Sequence, residues 1–239
     1  MTQVSANFET GTNGNTVSTG DTGSATAWEG VTIGASAALI YDTAHVYNTL
    51  AAKVSTGASS VSCYAEWTTA AGTLTDHYGR IYLYWTANPT VDCRVVNAFD
   101  SSDVGAWGIV IGQAGGSFPG QVRLLKVGSA TVATTTATIS LNQWIRIEWH
   151  TVNSATVGTL ELKLYNTPDS TTATETISGS ALNNGANTKR WRFGMATAGA
   201  NTGPFWMDNI ITGATSYPGP VTTSNDIMLP MGMLGTGRV

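Results

Sequence analysis

Residues 143–165 read QWIRIEWHTVNSATVGTLELKLY and consist of two alternating runs separated by a short polar loop. In the first run apolar and polar side chains occupy opposite sides: Ile145, Ile147, Trp149 and Thr151 on one, Arg146, Glu148 and His150 on the other. Strict alternation is typical of a β-strand with one buried face, and two such runs around a small loop form a β-hairpin. The sequence therefore predicts an antiparallel sheet that buries one of its faces.

The charges of this hairpin predict its register. If Glu148 lay opposite Glu161, like charges would face each other across the two strands, which is unfavourable. A shift by two residues removes that conflict. Each cross-strand pair contributes only about 0.2–1 kcal/mol, but the shift changes all the pairs together, and their sum favours the shifted register. We expect a loop at 153–158 and these pairs: Glu148 with Lys163, His150 with Glu161, Arg146 with Tyr165, and Trp149 with Leu162.

The composition of the chain limits the classes of protein to which it can belong. The chain has 239 residues, of which 42% are hydrophobic, so it is long enough to bury a substantial core. Charged residues make up only 11%, below the usual quarter or so, and Thr, Ser, Ala and Gly take their place on the predicted surface. This profile is typical of β-rich proteins that work outside cells or in virions. The net charge of −4 and the absence of a Lys/Arg cluster exclude a nucleic-acid partner.

The N-terminal sequence MTQVSANFET contains neither a basic segment nor an apolar one, so no secretory signal is visible. No apolar run approaches the 18 or so residues that a membrane-spanning helix requires. We therefore expect synthesis without a signal peptide and no membrane insertion.

Short strands punctuated by turn residues extend along the chain on both sides of the hairpin. About fourteen such runs fit two stacked sheets. Residues 43–48 are the one segment where the sequence allows a helical turn, because Asp42 could cap it. The predicted fold is all-β: a two-sheet antiparallel β-sandwich of the jelly-roll type that spans residues 1–213.

The composition changes in residues 214–239, which carry Pro, Gly and Met but almost no charge. We predict an extended C-terminal arm without a core of its own. It is either a terminus without fixed structure or a docking segment, since its apolar residues are poorly suited to water and Met adapts to irregular pockets. The docking residues would be Ile227, Met228, Leu229, Met231, Met233 and Leu234.

A search for catalytic residues finds no established motif. Sandwich glycosidases need two carboxylates across a sugar cleft, and the E-x-D-x-x-E string that carries them in sandwich glucanases does not occur. Glu148 and Glu161 are instead predicted to lie on a solvated, charge-balanced face. There is no G-x-S-x-G elbow and no phosphate-binding loop. The sequence thus predicts a protein that is not an enzyme, with no catalytic residues.

Tyr78, Tyr82 and Tyr84 share one side of a predicted strand with Arg80. Flat aromatic rings beside a guanidinium could stack on sugars, which would make this ladder a glycan-binding face. The alternative is that the ladder packs under a loop or a neighbouring subunit.

The cysteines, the histidines and Asp208 are further candidates for a disulfide or a metal site. Cys63 and Cys93 fall in predicted strands and are either two buried thiols or a disulfide between neighbouring strands. The three histidines lie at no metal-ligand spacing. Asp208 lies on the predicted apolar face of its strand, with Trp206 and Ile210, and needs either backbone amides or a hard cation such as Ca²⁺ to offset its burial.

Three segments, NFETGTNGNTV near the start, LNQWIRIEW with GTLELKLY in the middle, and GPFWMDNI near the end, resemble concanavalin A-like (laminin-G-like) jelly-roll modules. Such modules occur in virion proteins of tailed phages and in secreted bacterial proteins. The resemblance covers about residues 5–213. It implies the jelly-roll fold and a structural Ca²⁺ held by Glu9 and Asp208, whose positions match a first-strand F-E and a last-strand D in related carbohydrate-binding modules.

The functional prediction combines this resemblance with the missing motifs and the apolar arm. We expect a non-enzymatic virion structural protein of a tailed bacteriophage: a capsid decoration or tail-associated protein on the virion surface, made in the host cytoplasm. Its partners would be the major capsid protein or tail subunits and further copies of itself, and it would require no cofactor beyond the structural Ca²⁺. The alternative is a lectin-like module that binds a cell-surface glycan through the Tyr78 ladder. A glycoside hydrolase or lyase is the third hypothesis.

Overall fold

The computed structural model describes residues 2–21, 26–200 and 203–221, which fold into two antiparallel sheets packed face to face. The predicted all-β sandwich is therefore confirmed. No helix in these ranges is long and apolar enough to span a bilayer. The strands are β1 Val4–Ala6, β2 Gly30–Ile33, β3 Ala37–Asp42, β4 Ala51–Thr56, β5 Val61–Trp67, β6 Asp76–Trp85, β7 Cys93–Phe99, β8 Gly105–Ile111, β9 Gln121–Lys126, β10 Thr131–Thr138, β11 Trp144–Val152, β12 Gly158–Tyr165, β13 Glu175–Leu182, β14 Arg190–Gly199 and β15 Phe205–Ala214.

The strands divide between an eight-stranded and a seven-stranded sheet. Sheet A has the order β13-β12-β11-β6-β15-β4-β3, with β1 paired to β15, so both ends of the described chain lie in this sheet. Sheet B has the order β10-β9-β8-β7-β14-β5-β2. Strands that are distant in sequence, such as β5, β14 and β7, are therefore neighbours in space.

The β11–β12 hairpin has the register that its charges predict. Glu148 lies opposite Lys163, His150 opposite Glu161, and Trp149 opposite Leu162. The apolar side of β11 enters the core between the sheets, where the fully buried tryptophans lie: Trp28, Trp67, Trp85, Trp107, Trp149 and Trp191. Large aromatic rings on facing strands bury much apolar surface per residue, and this burial stabilises the sandwich.

Several local predictions differ from the structure. Residues 43–48 form bends with no helical turn, and the one described helical turn is a 3₁₀ turn at Val127–Ser129. The sequence also missed β2, which is short and half-exposed and therefore lacks a strong apolar signal. Cys63 and Cys93 are both buried as free thiols, so the alternative of a disulfide between them is wrong.

The C-terminal boundary also differs from the prediction. Strand β15 continues to Ala214, and residues 215–221 then fold back against the outer face of sheet A rather than extending away. The predicted docking residues Ile227, Met228, Leu229, Met231, Met233 and Leu234 lie outside the described residues.

Candidate functional site

The outer face of sheet A carries the Tyr78–Tyr84 ladder, and three chain segments cover it. His45 stacks on Tyr84 with ring centroids 4.1 Å apart, Tyr47 lies 4.4 Å from Tyr82, and Tyr217 lies 4.9 Å from Tyr78. His45 and Tyr47 belong to residues 42–49, and Tyr217 belongs to residues 215–221. Together with residues 167–170, we call these the three covering segments of sheet A.

Burial makes the centre of the predicted glycan-binding ladder inaccessible to a sugar. Tyr82 is 0% exposed and its hydroxyl accepts a hydrogen bond from the Val221 amide at 2.9 Å. Arg80 is also buried and donates from Nη1 to the Gly219 carbonyl at 2.7 Å. Tyr78 and Tyr84 keep partial exposure but do not form a continuous platform. The alternative of packing under a loop therefore describes this ladder better.

The part of the predicted solvated face that carries Arg146 and Glu148 is likewise buried, whereas the Glu161 side chain is 37% exposed. Glu148 and Arg146 are each 1% exposed, and Arg146 Nε lies 3.6 Å from a Glu148 carboxylate oxygen. Arg146 also donates to the carbonyls of Pro168 and Ser170, at 2.5 and 2.7 Å. The prediction was wrong because charge pairing within a hairpin does not reveal that another loop covers it. Glu148 and Glu161 do not form a sugar cleft.

Glu9 and Asp208, the predicted calcium ligands, act on each other electrostatically. Burial raises the pKa of the Asp208 carboxyl well above its usual value, and the negative charge of Glu9 raises it further, although the Asn209 amide and Arg80 lower it. Asp208 Oδ1 accepts a hydrogen bond from the Asn209 amide at 2.6 Å, while Oδ2 is buried without a hydrogen-bond partner. Asp208 does not share a face with Ile210, because a bulge after it turns Ile210 into the core.

This pair of carboxylates fits a hard cation. A buried carboxylate oxygen without a partner and a second carboxylate close enough to repel it are both relieved by a Ca²⁺ ion, which takes carboxylate and backbone oxygens. The described residues contain no group of three acidic, His or Cys side chains that could hold a metal, so further ligands would be backbone oxygens. The hydrogen bond from the Asn209 amide also agrees in part with the alternative, in which backbone amides offset the burial of Asp208. The calcium site stays a proposal.

The outer face of sheet B differs because no described strand packs across it. It carries four arginines, and three of them pair with carboxylates: Arg192 with Glu66 at 2.9 Å, Arg190 with Asp103 at 3.2 Å, and Arg123 with Asp92. Within the described part of the chain, the fourth, Arg94, has no carboxylate within ion-pair distance. This face therefore presents a cation whose counter-charge the described residues do not supply.

Arg94 is held by neutral partners at the edge of a depression of about 260 Å³. Its Nη1 donates to Asn97 Oδ1 at 3.2 Å and its Nη2 to Ser129 Oγ at 2.9 Å. Burial lowers the pKa of Arg94, and the charge of Arg123 lowers it further, yet a guanidinium stays protonated at any physiological pH. Lys126 and Gly108 also line the depression. An anionic group fits here because it would supply the missing counter-charge.

Tyr64 lies on the other side of the same face, on β5. The Arg192 guanidinium stacks over its ring, with Cζ 4.5 Å from the centroid. Gly194, the β14 residue opposite Tyr64, carries no side chain. A side chain at Gly194 is excluded by its φ of +119° and by the Cys63 carbonyl, 2.6 Å from where a Cβ would stand. Tyr64 is 7% exposed, and Arg192 connects it to Asn97, the β7 residue opposite Arg192, which in turn bonds Arg94.

Sequence reasoning missed this cluster. Tyr64, Arg94, Asn97 and Arg192 are spread over β5, β7 and β14, and only the strand order makes them neighbours. The one available signal was charge: the segments around Arg94, Arg123 and Arg190–Arg192 hold four of the chain's few basic residues.

No family model matches the chain, and no curated protein matches its sequence. Solved structures match its fold. The crystal structure of an endo-β-1,4-glucuronan lyase from the fungus Trichoderma reesei matches with a TM-score of 0.60 and 13% identity, covering 88% of this chain and 100% of that one. The cellulose induced protein Cip1 matches with a TM-score of 0.58 and 15% identity, covering 88% and 97% of the two chains.

Identities this low establish the fold alone, and neither match supports the predicted relationship to tailed-phage proteins. They do correct one prediction. The chain was expected not to be an enzyme because it lacks established motifs, but the same fold over the full length of a polysaccharide lyase contradicts that expectation. The chain has the same jelly-roll β-sandwich fold as the glucuronan lyase and Cip1.

Proposed function

We propose that the protein binds an acidic polysaccharide on the outer face of sheet B and cleaves it by β-elimination. The observation that carries the proposal is Arg94, a partly buried cation with no carboxylate partner among the described residues, at the edge of an open depression. A uronate carboxylate would complete its charge pairing through charge-assisted hydrogen bonds, which are stronger than neutral ones. The fold match to a lyase named for glucuronan, a polymer of this class, adds support.

The arrangement of side chains suits the chemistry of elimination. In this reaction the hydrogen on C5, beside the carboxylate, leaves as a proton to a base, and its electron pair forms a double bond between C4 and C5. The bond from C4 to the linking oxygen breaks, and that oxygen takes up a proton. Arg94 and Asn97 would bind the carboxylate and stabilise the negative charge that develops on it.

Tyr64 is the group we assign to proton transfer. A phenol is an established general acid or base, and Tyr64 is linked to Arg94 through Arg192, which stacks on it, and Asn97, the β7 residue opposite Arg192. Arg192 is a positioning residue, because its guanidinium stacks on the Tyr64 ring while its Nε is fixed by Glu66 at 2.9 Å. A sugar whose carboxylate binds Arg94 would need its C5 hydrogen within reach of the Tyr64 hydroxyl.

The test incubates the full chain with sodium polyglucuronate and measures the ultraviolet absorbance of the unsaturated product. We expect product with the polyuronate and none with a neutral cellulose oligomer of similar length. Tyr64→Phe should lower kcat by about 100-fold or more because it removes proton transfer. Arg94→Gln should lower kcat/KM through lost binding of the carboxylate, and Arg190→Gln, on the same face but paired with Asp103, serves as the matched control.

The outcomes separate the alternatives. Unsaturated product that persists undiminished in Tyr64→Phe would remove Tyr64 from the mechanism. Binding of the polyuronate without any product would favour the alternative of a lectin-like module, with its glycan-binding site on sheet B. No binding of any acidic polysaccharide would refute the proposal.

The virion role, its capsid or tail partners, self-association and the virion-surface location stay predictions. The docking residues on which they depend lie outside the described residues. A polysaccharide-cleaving protein on a particle surface is compatible with them, and particle incorporation of a chain truncated after Val221 would test them separately.

A further inference from the structure

Phe118 is exposed at the rim of the sheet B face. It lies in the loop 112–120 between β8 and β9, and it is 40% exposed, whereas Phe8, Phe193 and Phe205 are fully buried. Isolated exposed apolar residues are common and need no explanation by themselves. The groups around Phe118 are what distinguish this position.

Phe118 borders a second depression of about 260 Å³ that polar groups also line. Arg123 lies beside the ring, with Cζ 5.7 Å from its centroid, and Arg123 forms an ion pair with Asp92. Asp92 in turn accepts a hydrogen bond from the Gln113 amide at 3.1 Å. An aromatic ring beside a guanidinium, a carboxylate and an amide offers stacking for the apolar side of a sugar ring and hydrogen bonds for its hydroxyls.

The second depression lies in line with the first. Arg123 is opposite Val110 on β8, and Val110 is opposite Arg94 on β7, so the two arginines occupy one row of the sheet two strands apart. Two strand spacings correspond to about 10 Å. The charge of Arg123 also acts on the Arg94 guanidinium, so the two positive potentials overlap.

We propose that the Phe118 depression is a second sugar subsite of the same cleft. It binds the ring of a neighbouring sugar by stacking on Phe118, with the sugar's hydroxyls near Arg123 and Asp92. The polymer then crosses the strands of sheet B from Tyr64 over Arg94 to Phe118. This inference rests on the proposed function for the location of the first subsite, and it identifies the ligand as a polymer long enough to span two subsites about 10 Å apart.

The experiment measures binding rather than cleavage, by retardation of the folded full chain in native gels that contain sodium polyglucuronate. We expect Phe118→Ala to weaken polymer binding about five- to tenfold, which is the range of an aromatic stacking contact. Phe118→Trp should retain binding, because it keeps a stacking surface. Val157→Ala, a 71% exposed site in the β11–β12 loop of the other sheet, is the matched control and should change nothing.

Chain length supplies the second measurement. Phe118→Ala should weaken binding of long polyglucuronate chains but leave that of a single glucuronate-containing disaccharide unchanged, because a disaccharide need not reach both subsites. Equal polymer binding by Phe118→Ala and the wild-type chain would overturn the subsite.

Combining these variants with Arg94→Gln separates the two proposals. If Arg94→Gln abolishes binding and Phe118→Ala does not weaken it, the first site stands and the second subsite is wrong. If Phe118→Ala alone weakens binding, the second subsite stands and the first site is wrong. A wild-type chain that does not bind the polymer overturns both.

Discussion

The outer faces of the two sheets carry the same kinds of residue in opposite environments. On sheet A the Arg146 side chain is 1% exposed beneath residues 167–170, and Tyr82 is fully buried beneath the other two covering segments. On sheet B the Arg192 side chain is 22% exposed, and no described strand crosses the face. Arginines thus hold loops in place on one sheet and keep partial exposure on the other. Residue type alone does not make a binding site; access does.

The largest expected difference between the two faces is in the free energy of unfolding that is lost when an arginine is replaced. Arg146→Met should destabilise the fold by about 3–5 kcal/mol, because it leaves Glu148 buried without its partner. Arg190→Met on sheet B removes a more exposed ion pair and should cost about 1 kcal/mol or less. Denaturant unfolding of both variants measures the contrast. Similar losses in the two variants would mean that the two faces are equally covered.

The largest contribution to acid sensitivity above about pH 4 should come from His77, which is buried between the sheets. Burial lowers the pKa of His77 from 6.5 to about 3, with a smaller contribution from His150. Below about pH 6.5 the unfolded chain therefore binds a proton that the folded chain does not, so stability falls as the pH falls from 6.5 toward 3. This single group should cost on the order of 3 kcal/mol by about pH 4.

The measurement is the free energy of unfolding at neutral pH and near pH 4 for the wild-type chain and His77→Leu. The substitution suits the site, because both ring nitrogens of His77 lack hydrogen-bond partners and the ring packs against Trp107 and Trp191. His77→Leu should be less acid-sensitive than the wild type. An unchanged pH slope would show that other groups control the acid transition.

A bound cation would stabilise the end of sheet A but leave the sheet B face unaffected. If Glu9 and Asp208 hold Ca²⁺, saturating calcium should raise stability by about 2–3 kcal/mol over the chelator-treated protein. Asp208→Asn should abolish that response. Without a cation, chelator should have no effect, and Asp208→Asn should stabilise the fold by removing a poorly solvated carboxyl whose pKa is raised. Thermal unfolding with and without chelator distinguishes the two cases.

The smallest expected effect concerns the covering segment 215–221. The Tyr217 hydroxyl bonds the Glu161 carboxylate, and the Lys163 ammonium lies 3.6 Å from the Tyr217 ring centroid. Tyr217→Phe keeps the ring and should cost only about 1 kcal/mol. Tyr217→Ala should also increase the accessibility of Tyr78 to a chemical probe. Unchanged accessibility would mean that this segment does not shield the ladder.

Much of the fold followed from local pattern. The β11–β12 register was predictable because opposite charges and alternating apolar residues lie within one hairpin, where sequence distance and spatial distance nearly coincide. Most strand positions followed from alternation for the same reason. The non-enzyme prediction relied on known strings of residues, whereas a site assembled from separate strands would leave no such string.

The sequence by itself determined an all-β chain, the hairpin and its register, and the absence of a nucleic-acid footprint, because period-2 alternation and charge are properties of neighbouring residues. Only the tertiary structure decided which face was open. It placed β14 between β5 and β7, so that Tyr64, Arg192, Asn97 and Arg94 meet, and it folded residues 42–49 and 215–221 over the tyrosine ladder. Strand order and loop coverage depend on long-range packing between segments far apart in the chain, and no local pattern encodes that packing.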